Sequence, residues 1–137
     1  MEKAFIISNN PLVWDKYPTS TQLHTKLENG YKEILIFARD FIHKGSRIIN
    51  HPLAGSVKPN ETPFKSLVLT FPQIGVLDLD SLRIIEGSIQ VYEKFSPLRR
   101  NWHESVFDDF QFIDWALLLS AVEALPATIR LFNYPEK

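Results

Sequence analysis

At 137 residues, 45% hydrophobic and 23% charged, the chain reads as one soluble domain spanning 1–137, with apolar material for its own core. Fifteen Lys and Arg against sixteen Asp and Glu leave a formal charge of −1, without the basic excess that nucleic-acid binding draws on. The absence of cysteine excludes a disulfide framework, thiolate-held zinc, an iron–sulfur cluster and a cysteine nucleophile.

Ala4–Ile7 is a continuous apolar run giving way to Ser8-Asn9-Asn10-Pro11. That pattern predicts a buried strand ending in a polar turn, followed by a short helical turn over 11–17. The run is too short for a secretory signal. Residues 19–26 alternate weakly, as an edge strand does. Tyr31–Lys44 is the clearest helix: Tyr31, Ile34, Leu35, Ala38, Phe41 and Ile42 share one stripe. Gly45 stands where a left-handed C-terminal cap belongs. Arg47–Asn50 and Ser66–Phe71 read as strands. Asp78 opens a helix to Phe95, with Leu82, Ile85, Ile89 and Tyr92 on one face, and acidic residues at its start suit the helix dipole.

Glu104–Leu125 predicts a second long helix, apolar over more than one stripe, as burial between layers or a subunit interface requires. Asp108, Asp109, Asp114 and Glu123 read chiefly as its wet side. Its longest apolar stretch, Trp115–Leu119, is too short to span a bilayer. Ala127–Phe132 adds a last short strand. The expected fold is a three-layer α/β domain, Rossmann-like, with a small, mostly parallel sheet flanked by helices. One feature resists a parallel sheet: no helix separates Arg47–Asn50 from Ser66–Phe71, so those strands are antiparallel or not neighbours.

The connection from His51 to Lys65 holds three prolines, a Gly-Ser pair, two lysines, a histidine, a glutamate and an asparagine. Connections usually run about 4–6 residues, and longer ordered ones tend to carry function. Gly55-Ser56-Val57-Lys58 offers backbone amides, a hydroxyl and an ammonium, a group suited to a phosphate or carboxylate. It is not a P-loop, since Pro59 blocks a helix after Lys58. Asn60, with Asn9 and Asn10 at the end of the first strand, completes the candidate ligand set. The candidate catalytic group is His51 or Glu61 as acid–base and Lys58 as electrophile. Each has a plainer role: His51 as a turn partner, Asn9 and Asn10 as caps, the loop as a self-satisfied Ω-loop. The four histidines lack metal-ligand spacing, and no motif calls for a metal or a cofactor.

The string His51-Pro-Leu-Ala-Gly-Ser-Val-Lys-Pro-Asn-Glu-Thr-Pro-Phe-Lys-Ser66 resembles the hallmark of the GrdX family, as does Ile6-Ile-Ser-Asn-Asn-Pro-Leu12. The likeness runs from about Ala4 to Phe95. These small proteins are encoded beside the glycine, sarcosine and betaine reductases of amino-acid-fermenting anaerobes. The resemblance implies a cytoplasmic accessory protein of reductive amino-acid metabolism, with a reductase-complex protein or a small anionic metabolite as partner. Without cysteine it cannot itself relay electrons through thiols. The reading this supports is a non-catalytic accessory protein binding a small anion or partner segment through residues 51–65. Two alternatives stand beside it: a small enzyme acting on a carboxylate or phosphorylated metabolite, and an interaction module or homodimer using the C-terminal apolar helix. No membrane or nucleic-acid partner is expected.

Overall fold

The computed structural model describes residues 2–17, 21–24, 30–53, 62–95 and 104–132. Strand β1 (Glu2–Ser8) lies at the centre of a four-stranded sheet. One of its edges pairs antiparallel with β3 (Ser66–Thr70), from Ala4 opposite Thr70 to Ser8 opposite Ser66. The other edge is shared: β2 (Gln22–His24) runs parallel beside Ile6–Ser8, and β4 (Ile129–Leu131) runs parallel beside Glu2–Ala4. The expected small α/β sheet is present. It is a mixed sheet, two of the pairings along β1 being parallel and one antiparallel. The longest ladder is the antiparallel one, and each parallel pairing covers three residues.

Arg47–Asn50 does not form a strand. It makes one antiparallel bridge, Ile48 to Leu69, while Ile49 N donates to Val68 O and Thr70 N to Arg47 O. The missing helical crossover thus resolves as antiparallel contact, as the short connection requires.

Both faces of the sheet are covered, which is why β1 and β3 are apolar at successive rather than alternate positions. Phe5, Ile7, Leu67 and Leu69 point toward α2 (Gly30–His43) and α3 (Leu79–Phe95). Ala4, Ile6, Val68 and Ile129 point the other way, packing with Val13 of α1 (Pro11–Lys16) and Leu118 of α4 (Glu104–Glu123). The buried face of α2 is the stripe its spacing predicts: Tyr31, Ile34, Leu35, Ala38, Phe41 and Ile42. Each large aliphatic or aromatic side chain there contributes about 1.5–3 kcal/mol relative to exposure.

Helix α2 stops at Gly45. Gly45 N donates to Ile42 O and Ser46 N to Phe41 O, the paired bonds of a Schellman cap. Gly45 has φ +110°, and a Cβ there would collide with the backbone of Gln73, so only glycine fits. Asp78 starts α3, its Oδ2 accepting from Ser81 N at 3.0 Å and Ser81 Oγ at 2.6 Å. The two bonds hold the Asp78 carboxyl below its ordinary range.

A buried polar network at the foot of the 51–65 loop

The C-terminal end of β1 carries Ser8, Asn9 and Asn10, all buried. Burying such side chains is costly unless they are hydrogen-bonded, and each is engaged. Asn9 Nδ2 donates to Pro63 O at 2.8 Å, and Asn9 Oδ1 accepts from Lys65 N at 2.8 Å. The side chain thus extends the β1–β3 pairing beyond Ser8 and fixes where the loop returns. Asn10 caps α1, its Oδ1 accepting from Leu12 N at 3.0 Å. Its Nδ2 reaches α4, donating to Gln111 O and to Asp114 Oδ2, both at 2.9 Å.

Asp114 is the hub. Ser66 N donates to its Oδ1 at 3.0 Å, and Ser66 Oγ donates to its Oδ2 at 2.7 Å. Ser66 Oγ also lies 2.7 Å from Ser8 Oγ, which accepts from Asn10 N at 3.0 Å. With the Ser66 proton committed to the carboxylate, Ser8 donates to Ser66. The chain of donors therefore ends on Asp114. Burial pushes the Asp114 carboxyl above its ordinary value, opposed by Lys65 and by the Asn10 and Ser66 donors.

Lys65 is the second buried ion, 5% exposed. Burial pulls its ammonium below the ordinary lysine range, and Asp114 opposes that shift. Its Nζ lies 5.7 Å from the centre of the Tyr31 ring, within cation–π range. Among the described residues it has no ion-pair partner within 4 Å. Tyr31 Oη donates to Pro52 O at 2.8 Å, so α2 holds the start of the loop as Asn9 holds its end. Burial, with Asp114 adding to it, raises the Tyr31 phenol. Tyr31, Thr62, Lys65 and Asp114 supply the polar lining of a cavity of about 20 Å³, walled also by Phe64 and Phe110. That space holds about one water or one ligand oxygen.

Asn10 and Ser66, one from each of the two stretches that stand out in the sequence, therefore meet at Asp114. A protein-family model, that of the GrdX-like proteins, matches residues 5–123. The chain belongs to this family. No curated protein and no solved structure matches it. The GrdX-like match continues past Phe95, where the likeness read from the sequence stops, and includes α4 with Asp114.

Among the candidate site residues of this GrdX-like chain, Asn9 and Asn10 are present in the network as fasteners. Their amides are spent on Pro63, Lys65, Leu12, Gln111 and Asp114. His51 is exposed and accepts from Leu53 N at 3.0 Å through Nδ1, the turn-partner role. Gly55, Ser56, Lys58, Asn60 and Glu61 lie outside the described residues. Among the described residues no group of three or more His, Cys, Asp or Glu could hold a metal, and no helix is long and apolar enough to cross a membrane.

Asp114 corrects its reading as part of the wet side of α4, since it is buried at the sheet. The helix is also less enclosed than its composition predicts: Asp114 and Leu118 are buried, whereas Phe112 and Ile113 are exposed. Sequence reasoning passed over Tyr31, Lys65, Ser66 and Asp114 as site residues. The signal for Asp114 was an acid with apolar neighbours one turn away on each side, Phe110 and Leu118.

Proposed function

We propose that this GrdX-like chain is a cytoplasmic accessory protein of glycine and betaine reductase metabolism that takes a small anion at the foot of its 51–65 loop, on Lys65. The family supports the metabolic setting. The observation that carries the binding role is Lys65: an ammonium largely withdrawn from water, without a contacting anion among the described residues, beside a cavity. A buried charge is costly until it is paired, so an anionic oxygen entering the cavity recovers interaction that the free protein lacks. The cavity admits the tip of such a molecule rather than all of it, so a terminal carboxylate or phosphate oxygen is the fitting group. Asp114, with its three donors, stays engaged in the network and supports the protonated form of Lys65.

Isothermal titration with glycine, betaine, acetate and acetyl phosphate tests this. Wild-type protein is expected to bind at least one of them, and Lys65→Met to bind it at least tenfold more weakly. Unchanged affinity in Lys65→Met removes Lys65 from the site. A Ser56→Ala, Lys58→Ala double variant then separates the loop from its foot: loss there with a normal Lys65→Met places the anion on residues 55–58.

A further inference from the structure

The opposite end of the sheet exposes apolar side chains beside the Glu2–Arg47 ion pair. Because β3 runs antiparallel to β1, residues 71–77 leave the sheet at the N-terminal end of β1, where Phe71 N donates to Lys3 O. Strand β4 begins at that same end, with Ile129 opposite Glu2, and the C-terminus of α4 leads into it. A protruding apolar turn and an open groove therefore share one end of the molecule.

The first is a protruding turn. Ile74 is 103% exposed, and Val76, Leu77 and Leu79 are exposed beside it. Four aliphatic side chains in six residues is a patch, not a scattered exposure. The turn is pinned rather than loose. Gln73 N donates to Gly45 O at 3.3 Å and Val76 N to Gln73 O at 3.2 Å, with Gly75 at φ +79°. Gly45, which only glycine can occupy, sits directly beneath Gln73. The second feature is an open groove of about 460 Å³ between α4 and β4, lined by Val122, Leu125, Ala127, Ile129 and Leu131 together with Arg130, its surface as polar as it is apolar.

Charge is matched to shape. Arg130 is exposed at the groove and has no ion-pair partner among the described residues. Asp80, just beyond the turn, pairs among the described residues only with the neighbouring Arg83 at 3.4 Å, with both side chains about four-fifths exposed, a contact worth little. We infer that this end is a self-association surface: the Ile74 turn of one copy enters the α4–β4 groove of a second, with Asp80 approaching Arg130. A second copy fits because it carries both halves, and their position at one end permits reciprocal insertion about a two-fold axis. This rests on surfaces apart from Lys65 and does not depend on the anion site.

Sedimentation velocity over a concentration series is the first test. Wild type is expected to show a concentration-dependent dimer. Ile74→Asp, which spoils the turn, and Ala127→Glu, which fills the groove, are each expected to weaken it at least tenfold. Both positions are exposed, and unchanged far-ultraviolet circular dichroism confirms folding. The second test adds unlabelled Ala127→Glu protein, with its turn intact, to ¹⁵N-labelled Ile74→Asp protein, with its groove intact. Amide shifts at Ala127, Ile129 and Arg130 of the labelled protein are expected. A wild type that stays monomeric throughout, variants that dimerise as wild type does, or a mixture without groove shifts would each overturn the inference.

Discussion

Replacing Asp114 with Asn keeps the shape of the side chain and removes its capacity to accept on both sides. In the wild type Oδ1 accepts from Ser66 N, and Oδ2 accepts from Asn10 Nδ2 and Ser66 Oγ. Whichever way the amide of the Asp114→Asn variant is turned, its NH₂ faces at least one of those donors. One hydrogen bond to a charged acceptor is lost, worth about 1.5–3 kcal/mol, and one buried donor is stranded at about 1–3 kcal/mol. Removing a buried charge returns part of that, on the order of 1–2 kcal/mol. The net expectation is a loss of about 2–3 kcal/mol at neutral pH, a large share of the roughly 5–15 kcal/mol that holds a domain folded. Urea denaturation at a series of pH values measures it. The folded pKa of Asp114 is raised above its ordinary value, so the folded state keeps a proton that the unfolded state has released. Its contribution is full below the unfolded pKa and is lost as pH rises through the folded one. The carboxamide of the variant does not titrate, so the gap between the two proteins should narrow with rising pH across that window. A variant within about 0.5 kcal/mol of wild type at neutral pH, or a gap that widens with pH there, refutes the account of Asp114 as the acceptor that closes the network.

Gly45→Ala should cost on the order of 3 kcal/mol by thermal or chemical denaturation, because it adds left-handed strain to a contact with the Gln73 backbone. Lys65 has its folded pKa lowered from 10.5, so its contribution is present above the unfolded pKa and is lost as pH falls through the folded one. Stability of wild type relative to Lys65→Met should therefore rise as pH climbs toward 10.5, read from urea midpoints. Asn10→Asp keeps the α1 cap but places a second carboxylate against Asp114 Oδ2, where Asn10 Nδ2 now donates at 2.9 Å. A loss of about 3–5 kcal/mol at pH 7, with recovery in acid as the pair shares a proton, is expected. At a concentration where the wild type is monomeric, Ile74→Asp should leave stability within about 0.5 kcal/mol, since a fully exposed side chain contributes little to folding of the single chain.

The fold was readable where one face of an element is buried and the other wet. Helix α2 shows its six buried residues as a plain stripe, and Gly45 marks its end. Strand β1 was readable because burial on both faces leaves an unbroken apolar run. Strand direction was not readable, because a β3 buried at every position, with Leu67, Val68 and Leu69 apolar in succession, looks the same paired parallel or antiparallel. Arg47–Asn50 misled for a related reason: its apolar pair Ile48-Ile49 packs on the sheet through a single bridge. The polar network was half legible. Asn9 and Asn10 stood out as polar residues ending a buried strand, but their partners lie 54 and 104 positions away, beyond local pattern. Asp114 was hidden because an acid on a helix is usually solvated. Lys65 was hidden as the last residue of a loop whose interior looked more chemical.

Lys65 and Asp114 also bear on one another through charge. Burial draws both toward neutrality, and each opposes the other's shift, so neither can change charge without moving the balance of its partner. An anion bound against Lys65 would add a second negative charge to the same poorly solvated space. Its field would favour the protonated ammonium and, at the same time, the protonated carboxyl of Asp114. Binding would therefore take up protons in the range where either group is partly deprotonated, and affinity would fall as pH rises through that range. A lysine in open solvent has no such buried carboxyl to drag along. The pH dependence of anion affinity thus separates the foot of the loop from a solvated site on physical grounds, independently of which anion is used.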